Sequence, residues 1–415
     1  MLFDDYRISE DIKDNLDRLG FRKPTDIQYK SIPAILKGND LLAIAQTGTG
    51  KTAAFAIPVL QLLLPKYGSH VSSDVRCIVM APTHELAMQI HEVFSSMAKK
   101  TGLSSLCIHG GVDQDPQIER LKRGVPIVIA TPGRMFDLVS QGHLKLNNVK
   151  ILVLDEADHM LDLGFLKDIQ DLTRKLPKNR QTLFFSATIN DKIKNVAYSL
   201  VNNPIRIQIS PKDPVAKNIN HAVAFIEMDD KRFFLERLVN ENPDSKILIF
   251  VRTKVRAERV QKAMERVNLD AMTIHSDKDQ EERFKVMQSF RDGKTLLLIA
   301  TDVSARGIDI PDVDFVVNYD MPEKSENYVH RVGRTGRGKN KGQAVSFCSK
   351  EEKTILTEIE TFLDQEIKVL EIAKSDYKET LDFTPDNETD WQSLLNKAEK
   401  DELEYKAKKK KKKKK

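Results

Sequence analysis

Two adjacent carboxylates, Asp155 and Glu156, close the apolar run Ile151–Leu154, and a third, Asp158, follows at once. The carboxyl end of a buried strand is where an open parallel sheet presents its chemistry. One carboxylate there can hold a metal–phosphate complex while its neighbour handles a water. Upstream, Ala45-Gln46-Thr47-Gly48-Thr49-Gly50-Lys51-Thr52 follows the apolar run Leu41–Ala45 and precedes a helix-like segment, Thr52–Leu64. Strand, glycine loop and helix are the setting of a phosphate-binding loop. Glycine lets backbone N–H groups approach phosphate oxygens with no Cβ in the way, and the helix N-terminus adds partial positive charge. Lys51 can reach the β- and γ-phosphates, and Thr52 can offer its hydroxyl to Mg²⁺. Ala45 stands where the usual pattern begins with glycine.

The second half of the chain has no such loop. It carries Tyr328-Val329-His330-Arg331-Val332-Gly333-Arg334-Thr335-Gly336-Arg337, with arginines at 331, 334 and 337 among glycines. Guanidinium stays charged and bonds as a fork, which suits a transferring phosphoryl group. Ala300-Thr301-Asp302 ends another apolar run, and Arg306-Gly307-Ile308-Asp309 follows. Carboxylates in that place can contact a ribose, organise arginines or simply cap a helix.

The elements that must position these groups alternate between strand-like and helix-like patterns. Strands are expected near Leu41–Ala45, Cys77–Ala81, Ser105–His109, Ile127–Ala130, Ile151–Asp155 and Thr182–Ser186. After Ser210-Pro211-Lys212-Asp213-Pro214 the pattern restarts, near Ala222–Ile226, Ile247–Val251, Ala271–His275, Leu296–Ala300, Phe315–Asn318 and Ala344–Cys348. Repeated β–α units imply parallel sheets covered by helices. The expected division is an α/β domain over 1–209, a proline-punctuated linker over 210–216, a second α/β domain over 217–365, and a polar extension with a lysine-rich tail over 366–415.

The chain has 415 residues, 40% of them hydrophobic, enough for ordinary cores in two or three domains. No apolar run has the length of a membrane span, and the start Met1-Leu2-Phe3-Asp4-Asp5 lacks the pattern of a signal peptide. Cys77, Cys107 and Cys348 are too far apart in sequence for a disulfide framework or a zinc site, so a reducing, cytoplasmic setting is expected. The net charge is +5, but Lys406 and Lys408–Lys415 supply more than all of it, so the body is mildly acidic. A lysine run of that kind is expected to be disordered. It serves either as a tether for a polyanion such as nucleic acid or as a solubilising tail.

Taken in order, these segments resemble the motifs of the DEAD-box ATP-dependent RNA helicases, over residues 1 to about 350. Gly20-Phe21-Arg22-Lys23-Pro24-Thr25-Asp26-Ile27-Gln28 resembles the Q motif, with Phe3 as the isolated upstream aromatic. Pro82-Thr83-His84-Glu85-Leu86-Ala87 resembles motif Ia, and Gly110-Gly111 and Thr131-Pro132-Gly133-Arg134 resemble the GG and Ib motifs. Ser186-Ala187-Thr188 resembles motif III, and Ile249-Phe250-Val251 the start of motif IV, with Gln280 and Arg283 later in that region. The segments at 300–309 and 330–337 resemble motifs V and VI. Among branches, the chain is most similar to the bacterial RhlE type.

The resemblance implies two tandem RecA-like domains that close on ATP and single-stranded RNA. Carried over by position, Gln28 would read adenine and Phe3 would flank it. Gln46, Thr47, Gly48, Thr49, Gly50, Lys51 and Thr52 would hold phosphate, with Asp309 also at the nucleotide. Thr52 and Asp155 would hold Mg²⁺, partly through water, and Glu156 would orient and deprotonate the attacking water. Asp158, Ser186, Thr188 and His330 would couple hydrolysis to domain closure, and Arg334 and Arg337 would be the arginine fingers. Pro82, Thr83, Gly110, Gly111, Thr131 and Arg134, with Arg252, Thr301 and Gly307, would grip RNA with little sequence preference. Ribosomal precursors and RNA-decay proteins are the expected company, and no membrane is. Asp26, His84 and Ser276 depart from the family pattern, which puts the motif Ia contact at His84 in doubt and removes no group needed for hydrolysis. A DNA translocase on the same plan, an RNA clamp with vestigial hydrolysis and a small-molecule kinase are the competing readings.

Overall fold

The structure is a computed structural model; it describes residues 2–46, 48–65, 73–209, 215, 218–302, 313–336 and 341–382. The chain divides into two compact units near residue 210.

Unit 1 is built on seven strands: β1 Leu41–Ala45, β2 Cys77–Met80, β3 Ser105–Ile108, β4 Ile127–Ala130, β5 Ile151–Leu154, β6 Gln181–Ser186 and β7 Ile205–Ile209. They run parallel in the order β3-β4-β2-β5-β6-β1-β7. Every residue of β1, β2, β4 and β5 is buried, as expected of a parallel sheet with both faces covered. Alternate side chains feed two separate cores. Leu41, Ala43, Val79, Val153 and Phe185 enter one, and Leu42, Ile44, Met80, Leu154 and Phe184 the other. The helices Asp26–Leu36 and Lys51–Leu63 cover the first face, the latter burying an unbroken run from Ala53 to Leu60.

Unit 2 has β8 Ile219–Phe225, β9 Ile247–Val251, β10 Ala271–Ile274, β11 Leu297–Thr301, β12 Phe315–Asn318, β13 Gly342–Cys348 and β14 Lys368–Val369. Their order, β10-β11-β9-β12-β13-β8-β14, is again wholly parallel. Numbered from its own first strand, each sheet reads 3-4-2-5-6-1-7. The two units are one topology used twice.

Twelve strands match the sequence expectation to within a few residues at their ends; β7 and β14 are additional. Both lie at a sheet edge next to the first strand of their unit. Residues 366–382, read from sequence as polar extension, belong to the packing of unit 2. Leu370 N–H donates to Val223 O (2.8 Å), and Ile367 and Leu370 are buried. The helix Lys374–Asp382 lays Tyr377 on Phe234, with ring centroids 4.8 Å apart. The Tyr377 hydroxyl donates to Asp230 Oδ2 (2.8 Å) and accepts from Glu227 N (3.0 Å). Residues 1, 47, 66–72, 210–214, 216–217, 303–312, 337–340 and 383–415, the expected linker and lysine tail among them, lie outside the described residues. No helix among the described residues is long and apolar enough to cross a membrane.

If the 374–382 helix belongs to the fold of unit 2, Tyr377→Ala lowers stability by about 1–3 kcal/mol in urea titrations, the usual range for losing a packed, hydrogen-bonded side chain. A change within ~0.5 kcal/mol of zero, typical of a free surface position, would detach that helix from the domain.

Candidate active site

The connection from β1 to the helix Lys51–Leu63 turns on two glycines, Gly48 at φ +79 and Gly50 at φ +91. At Gly50 a Cβ would also run into the Gln28 side-chain nitrogen. Gln28 is what clamps this turn. It is the third residue of the helix Asp26–Leu36, where Thr25-x-x-Gln28 forms a capping box. Thr25 N–H donates to Gln28 Oε1 (2.9 Å), and Gln28 Nε2 donates to Gly50 O (3.1 Å). Thr25 Oγ1 donates to Thr49 O (2.8 Å), and Thr49 Oγ1 to Gln46 O (2.7 Å). One helix cap therefore fixes the glycine turn at two carbonyls, and Thr49 ties a third from within the loop.

Lys51 opens the helix behind that turn. It is only 6% exposed, and its Nζ has no hydrogen-bond partner among the described residues. A buried ammonium left so is costly, and its location beside a helix N-terminus and the turn's amides is that of an anion site. Asp155 lies just past β5, 2% exposed. Burial pushes its carboxyl up to about 6; the Lys51 charge opposes this, while Glu156 and Asp158 add to it. Its Oδ1 accepts the Glu156 N–H (3.0 Å). Glu156 caps the helix Ala157–Asp162 from the left-handed region, at φ 47 and ψ 49, with Oε2 3.5 Å from His159 Nδ1. Asp158 points across to the next strand. Its Oδ2 accepts from Ala187 N (3.2 Å), Thr188 N (2.9 Å) and Thr188 Oγ1 (2.9 Å), and Ser186 Oγ donates to Thr188 O (2.7 Å).

The residues expected to serve the nucleotide thus gather at the carboxyl ends of β5, β6 and β1. The expected RNA-gripping residues of unit 1 follow the ends of β2, β3 and β4, neighbours at the other side of the same edge. Thr83 caps the helix His84–Met97, its Oγ1 accepting from Leu86 N (3.3 Å), and Thr131 caps the helix Pro132–Ser140. Arg134 donates to Val112 O (2.9 Å), tying this helix to the Gly110–Gly111 turn. His84 stacks near His109 at 5.1 Å. Phe3 is 3% exposed, packed against Phe21 and Tyr6 in the core, so its ring is part of the fold rather than an open surface.

In unit 2 the three arginines separate. Arg331 is 2% exposed and grips Asp302 with two nitrogens (2.6 and 2.8 Å), which makes it a structural guanidinium. Arg334 lies in the turn after the helix Ser325–Val332, its Nε donating to His330 O (3.3 Å). Thr301 ends β11, and Arg252 follows β9 with its guanidinium on Glu352 (3.1 Å). Thr47, Gly307, Asp309 and Arg337 lie outside the described residues. Sequence reasoning gave Thr25 and His159 no role, although the Thr-x-x-Gln spacing of a capping box was there to be read.

Residues 25–196 match the DEAD/DEAH box helicase family, and residues 230–339 the helicase conserved C-terminal domain. The chain is 37% identical over 404 residues to the ATP-dependent RNA helicase DbpA of Bacillus subtilis (strain 168), covering 95% of this chain and 83% of that one. It is 40% identical over 371 residues to the ATP-dependent RNA helicase RhlB of Shewanella woodyi, covering 88% and 84%. Among solved structures, S. cerevisiae Dbp5 bound to RNA and ADP BeF3 is similar at a TM-score of 0.81 and 30% identity, covering 95% of this chain and 99% of that one. The DEAD-box helicase Mss116 bound to ssRNA and UDP-BeF is similar at 0.81 and 28%, covering 93% and 82%.

Because the folded-state value of Asp155 lies above its unfolded one, the native protein holds that proton more tightly, and stability falls as pH rises from about 4 through about 6. Asp155→Asn removes the ionisation. In nucleotide- and metal-free protein it raises the melting temperature at pH 7.5 by an amount corresponding to at most a few kcal/mol, and the gain vanishes below about pH 4, as differential scanning fluorimetry across pH would show. A gain that does not depend on pH would remove the buried charge as its cause.

Proposed function

The chain belongs to the DEAD/DEAH box helicase family and is an ATP-dependent RNA helicase, and from that premise we propose how its residues divide the work. One observation carries the assignment: the buried Lys51 ammonium, without an acceptor among the described residues, beneath a glycine turn, with Asp155 and Glu156 at the end of a nearby strand. That cradle fits a triphosphate. Gln46, Thr47, Gly48, Thr49 and Gly50 supply backbone donors, and Lys51 neutralises the terminal phosphates. Thr52 and the buried Asp155 fit Mg²⁺, which when bound screens phosphate charge.

Glu156 orients a water and accepts its proton as ATP and water become ADP and phosphate. Arg334 and Arg337 are the cations proposed for the transferring phosphoryl group, His330 couples hydrolysis to closure, and Asp309 serves the nucleotide. Gln28 recognises adenine with the hydrogen and lone pair left over from its capping bonds. Phe3 supports that segment from beneath. Asp158, by holding Ser186-Ala187-Thr188, links the phosphate site to the neighbouring strand end. The Thr83 and Thr131 helix starts, with Pro82, Gly110, Gly111 and Arg134, hold RNA phosphates in unit 1, and Arg252, Thr301 and Gly307 do so in unit 2. Phosphate contacts position without specifying sequence, so the expected action is local separation of short duplexes and remodelling of RNA–protein complexes.

Further assignments rest on less. The working domains are 1–209 and 217–382, the second longer than its sequence pattern suggested. RhlE-type character is proposed from motif likeness; relatives of near-equal identity are named DbpA, RhlB and CshA, which supports a bacterial type more than any one branch. Ribosomal precursors and decay proteins are the proposed company, and Lys408–Lys415 a tether to RNA. The three free thiols, each pushed up by burial, suit a reducing cytoplasm.

Glu156→Gln keeps ATP binding and slows RNA-stimulated turnover by about 10²–10⁴, measured by phosphate release; fast turnover would displace Glu156 as the base. Arg334→Ala leaves the ATP dissociation constant within a few-fold and reduces turnover by roughly 10³–10⁵. Unchanged turnover in single-turnover assays would strip Arg334 of its role.

A further inference from the structure

The shared topology permits a position-by-position comparison of the two units. In unit 1 the first strand, β1, ends at Ala45 and its helix opens with Lys51; in unit 2 β8 ends at Phe225 and its helix opens with Lys231. Both connections are the same length and both lysines are buried, Lys231 completely. Their surroundings differ in one respect. Lys51 Nζ lacks a protein acceptor among the described residues, whereas Lys231 Nζ donates to Glu352 Oε2 (2.5 Å) and Tyr319 O (2.8 Å). Burial pulls the Lys231 ammonium down and the Glu352 carboxylate holds it up. Lys231 thus has a carboxylate partner where Lys51 has none among the described residues.

That carboxylate does more than neutralise one lysine. Glu352 Oε1 also accepts from Met321 N (3.0 Å) and Arg252 Nη2 (3.1 Å), and Oε2 from Ser349 N (3.1 Å). Its four donors come from segments following β8, β9, β12 and β13, which are consecutive in the sheet. Asp320 extends the chain. Its Oδ2 accepts Arg252 N (2.9 Å), its Oδ1 pairs with Arg256 (2.9 Å), and its carbonyl accepts from Arg331 Nη1 (2.7 Å). Arg331 then reaches Asp302 after β11. A continuous hydrogen-bonded path, Lys231–Glu352–Arg252–Asp320–Arg331–Asp302, ionic at its two ends and carried through the Arg252 N–H and the Asp320 carbonyl in the middle, ties five adjacent strand ends.

We propose that Glu352 is a positioning residue of the helicase reaction: held against Lys231, it fixes Arg252 for RNA and, through Asp320 and Arg331, the helix that leads to Arg334. This rests on the reading above that Arg252 holds RNA phosphate and Arg334 serves the phosphoryl group. A flexible arginine at the surface would lose entropy on every binding event; one already held by a buried carboxylate and by its own backbone loses less. The path also gives RNA contact and the arginine helix a common mechanical support.

The test uses the full chain, poly(U) and ATP, at a temperature well below the lowest melting point, with circular dichroism confirming the fold. Glu352→Gln leaves Lys231 buried beside a neutral partner, so it is expected to lower the melting temperature and to weaken RNA activation. The double variant Lys231→Met with Glu352→Leu removes both buried charges, a replacement that commonly restores or improves stability, yet leaves Arg252 without its anchor. In both variants the poly(U) concentration for half-maximal ATPase rises between about tenfold and 10²-fold, the scale of small misplacements of binding groups, and kcat falls, while the KM for ATP stays within about twofold. Return of the RNA constant and kcat to wild-type values in the double variant would make the ion pair a packing device and overturn the proposal. So would wild-type RNA activation in Glu352→Gln. Arg252→Ala is the control for the premise: if it leaves the RNA constant unchanged, the reading of Arg252 itself fails and the inference falls with it.

Discussion

The Lys51 ammonium is held out of water with no acceptor of its own among the described residues, and much of unit 1 is organised around that fact. Removing a charge from water costs on the order of several kcal/mol, so such a group persists only where the rest of the fold enforces it. Enforcement is visible in the fully buried strand that delivers it, in the apolar run Ala53–Leu60 that seats its helix, and in Gln28, whose amide pins the turn in front. Asp155 is the counterpart. Its carboxyl is also buried and pushed toward neutrality. The buried Lys51 ammonium and Asp155 carboxyl follow β1 and β5, with β6 between them, an arrangement that a bound phosphate and its metal would relieve.

Unit 2 shows the same topology with that tension resolved internally. Lys231 occupies the corresponding helix start, and Glu352 satisfies it. One sheet order thus supports two arrangements of a buried helix-start lysine, one without a partner among the described residues and one bonded to a carboxylate. The difference lies in a glycine-rich connection against an acidic one, Ile226-Glu227-Met228-Asp229-Asp230, and in one carboxylate from the turn after β13.

What could be read from the sequence follows from which signals are local. Fully buried parallel strands are continuous apolar runs bounded by turn residues, and those were legible to within a few positions. β7 was not, because Ile205-Arg206-Ile207-Gln208-Ile209 is a half-exposed edge segment, and β14 is two residues long, below any periodic signal. The phosphate loop and the Asp155–Glu156 pair were legible because their chemistry is carried by contiguous residues. The structural role of Arg331 was not: the resemblance set Arg334 and Arg337 apart as fingers but gave Arg331 no task. Spacing presents three equivalent guanidiniums, and only the tertiary meeting with Asp302 reveals that Arg331 is buried in an ion pair. Lys231 and Glu352 gave no signal at all, being a lysine at a helix start and a glutamate in a short turn, 121 positions apart. Phe3 was legible as a solitary aromatic but not as a core residue, since the Phe21 ring that packs against it comes from a separate segment.

Glu156 adopts a left-handed backbone, φ 47 and ψ 49, that carries a penalty of about 1–2 kcal/mol for a residue with a Cβ. Glycine at that point would be more comfortable and would have no carboxylate. On the role proposed for Glu156, the strained torsion is a local stability cost carried to keep a carboxylate at this strand end.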